Sequence, residues 1–140
     1  LNDYKIFLDD FHSDFESISE GSVADLTLED LHDHRCQLIK ENRQRISYFM
    51  YNDNKEIIAV TNFEPRSGII YISLTGVIKK LRGNNIAEYL KIFSILDLLK
   101  TNPEFEYFQT RMNSQNTAIN SINEKLGFQL HETSYEFILK

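Results

Sequence analysis

Cysteine is almost absent from this sequence, since Cys36 stands alone among 140 residues. A single cysteine excludes an internal disulfide and a zinc site built from several cysteines. Long apolar runs are also missing, because none approaches the roughly 20 residues that a membrane-spanning helix needs. The first residues lack the basic and then apolar layout of a signal peptide. We therefore expect a cytoplasmic protein that does not act at a membrane.

An excess of positive charge is absent as well. The formal net charge is −6 at pH 7, and no basic surface of the kind that binds nucleic acid is evident. A hydrophobic content of 41% with 12% aromatic residues is typical of a globular chain, and this length suits one domain with one core. We expect a single domain over residues 1–140, and the start at Leu1 suggests a piece of a longer protein, such as one half of a tandem pair.

Hydrophobic periodicity predicts a mixed order of elements. Two helices come first, then three antiparallel strands, a helix, a strand, a last helix, and one or two final strands. Thr27 with Asp30 imitates a capping box, and Gly127 has the position of a left-handed helix cap. The predicted helices cover residues 4–18, 27–39, 86–99 and 116–126, and the predicted strands cover residues 46–51, 57–63, 69–74, 105–110 and 130–139.

The most informative stretch is the turn between the third strand and the third helix. Gly83, Asn84 and Asn85 lie in this turn, and Lys79, Lys80 and Arg82 come just before it. The first N–H groups of a helix have no partner inside the helix, and the helix dipole adds positive charge there. Such a corner favours an anion such as phosphate, although an ordinary structural turn has the same composition.

The order of residues in this turn resembles a known signature. The stretch Arg82-Gly83-Asn84-Asn85-Ile86-Ala87 is similar to the acyl-CoA-binding motif of the GNAT acetyltransferase superfamily, Arg/Gln-x-x-Gly-x-Gly/Ala. Asn85 stands where the superfamily usually has its middle glycine. Asparagine tolerates turn and left-handed conformations better than most residues, but its side chain occupies space near a bound pyrophosphate.

A second motif lies near the C-terminus at the expected distance. The segment from Asn116 through Leu126-Gly127-Phe128 resembles the last helix of the superfamily. Thr110, Asn113 and Asn116 are similar to the pattern of a branch that includes mycothiol-synthase-like and other small-molecule acetyltransferases. Two motifs in the right order are more specific than either one alone.

The resemblance implies an α+β fold of the GNAT type, in which a mostly antiparallel sheet is flanked by helices and a splayed pair of strands holds acyl-CoA. A bulge in the third strand is expected at Gly76. The pantetheine arm would then bind to the strand edge, and the turn would hold the pyrophosphate. The implied acyl-CoA site consists of Thr75, Val77, Lys79, Lys80, Arg82, Gly83, Asn84, Asn85, Ile86, Ala87 and Asn116. Asn116 is equally explained as a helix cap.

The resemblance also implies the chemistry, which is transfer of an acetyl group from acetyl-CoA to a small-molecule primary amine by direct attack. The superfamily often uses a tyrosine of the last helix as general acid, and Asn123 takes that position here. Asparagine cannot donate a proton to a thiolate. Tyr71 and Glu64 are the candidate substitutes, since Tyr71 shares one strand face with Ser73 and Thr75, and Glu64 lies near a strand end. Apart from His32 and His34, which cannot face one ligand on a helix, the histidines lack the spacing of a metal site, so we expect no metal.

Two other functions fit the same residues. The chain could be an acyl-CoA-binding domain that has lost its chemistry, a reading that Asn85 and Asn123 favour. It could also be a nucleotide- or phosphate-binding domain, although the missing Gly-Lys-Ser/Thr argues against an ATPase loop. We expect no partner other than a small amine, apart from a second copy in a homodimer or a tandem domain.

Overall fold

The computed structural model describes residues 1–12 and 27–135. The predicted continuation of the first helix over residues 13–18 and the end of the predicted last strands at residues 136–139 lie outside this range. The described elements are α1 (Asn2–His12), α2 (Leu28–Lys40), β1 (Ile46–Tyr51), β2 (Ile57–Arg66), β3 (Ile69–Val77), a 3-10 turn (Lys79–Leu81), α3 (Ile86–Thr101), β4 (Tyr107–Thr110) and α4 (Thr117–Lys125).

The sheet has the order β1-β2-β3-β4. The pairs β1–β2 and β2–β3 are antiparallel, and β3–β4 is parallel. The predicted α+β fold with a mostly antiparallel sheet is therefore confirmed. Strand β2 is longer than predicted, because Pro65 and Arg66 still pair with β3. The turn that follows is confined to Ser67 and Gly68, which both have positive φ angles.

Two predicted helix ends are confirmed in atomic detail. The Thr27 hydroxyl accepts a hydrogen bond from the Asp30 amide at 3.1 Å, and the Asp30 carboxylate accepts one from the Thr27 amide at 2.8 Å. Gly127 has a φ of +83°. Its N–H donates to the Glu124 carbonyl, and the N–H of Phe128 donates to the Asn123 carbonyl, each at 3.0 Å. These reciprocal bonds fix where α2 begins and where α4 ends.

The core lies on both faces of the sheet. On one face α1 packs its apolar side against β2, and the buried cluster there consists of Phe7, Leu8, Ile57 and Val60. On the other face α3 covers β2 and β3. Two buried clusters form there, one of Phe63, Ile70, Ile72 and Leu98, and one of Ala59, Val77 and Leu90. Within residues 1–12 and 27–135, no helix is long and apolar enough to cross a membrane.

The bulge of β3 lies at Ser73, so the prediction of a bulge at Gly76 is wrong. Asn62 pairs with Leu74 and Phe63 pairs with Ile72, which leaves Ser73 as the extra residue. An extra residue shifts the alternation of side chains between the two faces. Leu74 accordingly packs with the α1 cluster, although Ile72 packs with Leu98 of α3. The prediction that Thr75 shares a face with Tyr71 is wrong for the same reason.

Two further expectations need correction. Residues 129–135 form no strand, although the sequence predicts one or two strands over residues 130–139. Helix α3 is packed against the sheet as predicted, but only through part of its apolar surface. Leu90 and Leu98 are buried, while five large apolar residues of this helix are exposed, namely Tyr89, Ile92, Phe93, Leu96 and Leu99.

Candidate acyl-CoA site

The turn before α3 has an unusual backbone. Gly83 has a φ of +81° and Asn85 a φ of +59°, both in the left-handed region. The Asn84 side chain donates from Nδ2 to the carbonyls of Leu81 at 3.0 Å and Arg82 at 3.3 Å, which holds the turn closed. Turns that bring successive N–H groups to one side in this way bind anions.

The N–H groups at the start of α3 have no partner within the described chain. The first backbone donor of the helix is Tyr89, whose N–H donates to the Asn85 carbonyl at 3.0 Å. Asn85 provides no side-chain cap. Among the described residues, none accepts a hydrogen bond from the N–H of Asn85, Ile86 or Ala87. Residues 82–85 are exposed, and Ile86 and Ala87 are half-buried, so a ligand can approach these donors from the side of the turn.

Three basic residues surround this turn. The Arg82 side chain folds back and donates from Nε to the Val77 carbonyl at 3.1 Å. Lys79 and Lys80 lie in the 3-10 turn, and both are exposed. The backbone N–H of Lys79 donates to the Asp10 carboxylate of α1 at 2.7 Å. The corner thus combines helix N–H groups with cationic side chains, while one acidic residue of α1 anchors the neighbouring 3-10 turn.

Beyond the Ser73 bulge, β3 has an edge with which no further described strand pairs, and this edge is called the open edge. Its pairing with β4 ends at Ile72 and Thr110, yet β3 continues to Val77. The N–H of Ile78 donates to the Ile58 carbonyl of β2 at 3.0 Å. Because successive residues of a strand direct their backbone groups to alternate edges, those of Thr75 and Val77 face away from β2. Strand β4 ends at Thr110, where its pairing with β3 ends, so the described strands show an unpaired edge of β3 and not the expected splayed pair. The Val77 carbonyl at this edge already accepts the hydrogen bond from Arg82.

Asn116 and Asn123 have different roles in α4. Asn116 caps the helix, since its Oδ1 accepts a hydrogen bond from the Ile119 amide at 3.3 Å. Asn123 is only 2% exposed and accepts a hydrogen bond from the Lys91 ammonium of α3. Its Nδ2 lies 3.4 Å from the sulfur of Met112, just beyond the end of β4. Asn123 therefore fills the place of the expected tyrosine together with a buried lysine.

Lys91 also belongs to this region, although the sequence alone does not single it out. The residue is fully buried, and burial lowers the pKa of its ammonium to about 8. Its Nζ lies 5.1 Å from the centre of the Phe128 ring. No carboxylate among the described residues pairs with it. Within the described residues, the contacts that stabilise this charge are a cation–π contact and one amide oxygen.

Glu64 lies in a cluster of arginines on the α1 face of the sheet. Its carboxylate accepts hydrogen bonds from Arg43 at 2.9 Å, from Arg45 at 2.8 Å and from Arg66. Burial raises the pKa of Glu64, but the hydrogen bonds from Arg45, Arg66 and Arg43 outweigh burial and lower it to about 2. A carboxylate with so low a pKa is a weak base, so this environment disfavours the predicted role of Glu64 in proton transfer.

Tyr71 pairs with Glu64 across β2 and β3. The guanidinium carbon of Arg66 lies 5.4 Å from the centre of the Tyr71 ring. Tyr71 precedes the Ser73 bulge by two residues, and its backbone is paired with Gln109 of β4. The structure thus places Tyr71 on the α1 face, and Thr75 on the α3 face, where its hydroxyl lies 3.1 Å from that of Thr61.

Comparison of the sequence with family models and with curated proteins found no match. Solved structures do share the architecture. PaiA N-acetyltransferase from Thermoplasma acidophilum, in complex with coenzyme A, has a TM-score of 0.73 at 10% identity, over 95% of this chain and 86% of that chain.

Two further acetyltransferases are similar. Glucosamine-6-phosphate N-acetyltransferase from Arabidopsis thaliana has a TM-score of 0.64 at 14% identity, over 99% of this chain and 93% of that one. Aminoglycoside 6'-N-acetyltransferase AAC(6')-IG from Acinetobacter haemolyticus has a TM-score of 0.64 at 18% identity, over 99% and 91%. With its mostly antiparallel sheet between helices, this chain has the fold of the GNAT N-acetyltransferases.

Proposed function

We propose that the protein is an acyl-CoA-dependent N-acyltransferase that transfers an acetyl group from acetyl-CoA to a small-molecule primary amine. The observation that supports this most is that the N–H groups of Asn85, Ile86 and Ala87, beside the open edge of β3, have no partner among the described residues. A diphosphate needs several converging donors, and a pantetheine arm needs a strand edge. Both features occur here within one short segment.

Each part of the proposed site has a separate task. The N–H groups of the turn bind the diphosphate, and Arg82, Lys79 and Lys80 add positive charge around it. The backbone groups of Thr75 at the open edge bind the amides of the pantetheine arm as an added strand would. Acetyl-CoA supplies an activated carbonyl, and a neutral amine attacks it directly. The fold's contribution is mainly to hold the two reactants together.

The Asn85→Asp variant tests the diphosphate site. A carboxylate beside a helix N-terminus is favourable by about 0.3–1 kcal/mol, so the melting temperature should stay the same or rise. The same carboxylate repels the diphosphate, and we expect the Kd for CoA to rise about tenfold or more. Calorimetric titration with CoA and thermal unfolding measure the two effects in one preparation.

Asn42→Asp is the matched control, because Asn42 is also exposed with a positive φ and lies after α2, at the end of the sheet where Ile46 pairs with Phe63. It should bind CoA like the parent protein. If Asn85→Asp also binds CoA with unchanged affinity, the diphosphate does not bind at this turn and the proposed function is lost.

We further propose that Tyr71 moves a proton during transfer. A phenol carries a proton at neutral pH and can donate it to a departing thiolate. Tyr71→Phe should lower kcat by at least about tenfold, since positioned proton donors contribute that much or more, and the Kd for CoA should not change. Thiol release with an accepted amine measures kcat. An unchanged kcat would remove Tyr71 from the mechanism.

A second candidate function is an acyl-CoA-binding domain without turnover. The burial of Asn123 favours this candidate, because an asparagine cannot donate a proton to a thiolate and it stands where the superfamily often has a tyrosine. A thiol-release assay over a panel of amines distinguishes the two functions. Binding of CoA with no release for any amine would favour the binding domain over the enzyme.

A further inference from the structure

A cavity of about 380 Å³ lies between the N-terminal helices and the sheet. The helices contribute Tyr4, Asp30 and His34 to its lining, the sheet contributes Asn62 and Ser73, and Arg45 comes from the segment just before β1. It lies on the α1 face, opposite to the face that α3 covers. Its volume suits a small molecule of a few to about twenty non-hydrogen atoms, given that drug-sized pockets begin near 300 Å³.

Two buried polar atoms of this lining have no hydrogen-bond partner among the described residues. Asn62 is only 3% exposed. Its Nδ2 donates to the Tyr4 hydroxyl at 3.2 Å, while its Oδ1 accepts no hydrogen bond among the described residues. The Nε of Arg45 is likewise buried and unpaired, although its Nη2 donates to Glu64. A buried polar atom without a partner is costly, so an acceptor and a donor are both available to a bound molecule.

The charges divide the cavity into two ends. At the sheet end, Arg45 lines the cavity and forms an ion pair with Glu64. Outside the lining, Arg43 and Arg66 also pair with Glu64, and Arg43 pairs with Glu41. Three guanidiniums against two carboxylates leave one positive charge in excess. Asp30 contributes a carboxylate from the start of α2. A molecule that carries both an anionic group and an amine matches this distribution of charge.

The position of the bulge indicates which end of a molecule with an amine and an anionic group would lie near the proposed acyl-CoA site. Ser73 lies where β3 separates from β4, next to the open edge that begins the proposed acyl-CoA site. Asn62 pairs with Leu74 beside the bulge, whereas the Arg45 side chain reaches Glu64, two residues further along β2. An amine at Asn62 would therefore lie near the acyl group, with the anionic group at Arg45 further away.

We propose that this cavity binds the acyl acceptor, and that the acceptor is a primary amine carrying a carboxylate, as in a free amino acid. This proposal rests on the proposed acyl transfer. The Arg45 Nε–H donates to the carboxylate, and the Asn62 Oδ1 accepts from the amine. The amine nitrogen forms a bond to the acyl carbon, the C–S bond breaks with its electron pair on sulfur, and the proton lost by nitrogen balances the thiolate as a thiol.

The test uses the standard L-amino acids, each compared with its own carboxamide. The two members of a pair differ only in the negative charge, and the amide has the less basic amine, so a preference for the acid cannot come from a larger supply of neutral amine. Binding to the full chain is measured by calorimetry, with and without saturating CoA. We expect at least one amino acid to bind about tenfold more tightly than its amide.

Arg45→Lys keeps the charge beside Glu64 but lacks the Nε–H donor, so it should abolish most of this preference without unfolding the protein. Arg43→Lys is the matched control, because Arg43 also pairs with Glu64 but does not line the cavity. It should keep the preference.

Equal affinities within every pair, no binding of any acid, or a preference that survives Arg45→Lys would each overturn the proposal. Titration with CoA alone separates a failure of the acceptor proposal from a failure of the proposed acyl transfer. Binding of CoA without discrimination among the pairs overturns only the acceptor proposal, whereas loss of CoA binding at the turn overturns the proposed acyl transfer.

Discussion

Replacing Glu64 by glutamine is expected to lower the free energy of unfolding at pH 7 by about 3 kcal/mol. The Glu64 side chain is only 8% exposed, and it neutralises Arg43, Arg45 and Arg66 together. The variant leaves three guanidiniums close to one another without their common partner. Two of them are partly exposed and regain water, which places the loss at the lower end of values for broken buried ion pairs. Urea unfolding of parent and variant measures it.

The pH dependence gives this prediction a second readout. The pKa of Glu64 is about 2 in the folded protein, against an ordinary value of 4.5. Between these values the unfolded chain binds a proton that the folded chain does not, so the contribution of Glu64 is complete above pH 4.5 and is lost as the pH falls towards 2. The difference between parent and variant should shrink over this range.

Glu106→Gln makes the same chemical change at an exposed position, and it should alter stability by no more than about 0.5 kcal/mol. If Glu64→Gln behaves like Glu106→Gln at pH 7, the carboxylate does not hold the arginine cluster together. In that case Glu64 would again be a candidate base.

The features that the sequence predicts well are those whose causes are local. The start of α2 depends on Thr27 and Asp30, three residues apart, and the end of α4 depends on the left-handed conformation of Gly127. The turn from Gly83 to Asn85 likewise joins adjacent elements. Each feature needs only a few neighbouring residues, so spacing and residue type are sufficient.

The position of the bulge in β3 cannot be predicted from neighbouring residues alone. Glycine is common at bulges, which favours Gly76, but the extra residue is the polar Ser73. Register is decided by which residues of β2 and β3 pair across the sheet. The alternation of side chains within β3 alone therefore assigns Thr75 to the wrong face.

The charged groups of the interior depend on contacts even more distant in sequence. Arg45 and Glu64 are 19 residues apart, and Lys91 and Asn123 are 32 residues apart. No local pattern links the members of either pair. Lys91 also lies within an apolar helix, where a lysine is ordinarily read as a surface residue. Tertiary packing alone shows that it is enclosed.

Replacing Lys91 by methionine together with Asn123 by leucine is expected to raise the free energy of unfolding at pH 7 by about 3 kcal/mol. Burial lowers the pKa of Lys91 from 10.5 to about 8, and each pKa unit corresponds to about 1.4 kcal/mol. Methionine keeps the length of the stem without the charge. In Lys91→Met alone, the buried side-chain oxygen of Asn123 would lose its donor, and this would offset part of the gain in stability. Changing Asn123 to leucine as well removes that oxygen.

The sign of the pH dependence separates this explanation from a general packing effect. Between pH 8 and 10.5 the unfolded chain keeps the lysine proton and the folded chain releases it, so the stability of the parent protein rises with pH. The double variant has no such rise, and its advantage should decrease from pH 7 to pH 10. Lys100→Met changes an exposed position of the same helix. The free energy of unfolding of this variant should change with pH in the same way as that of the parent. If the double variant exceeds the parent in free energy of unfolding by the same amount at pH 7 and pH 10, Lys91 is not a desolvated ammonium. Burial of its charge would then not lower the stability of the folded protein.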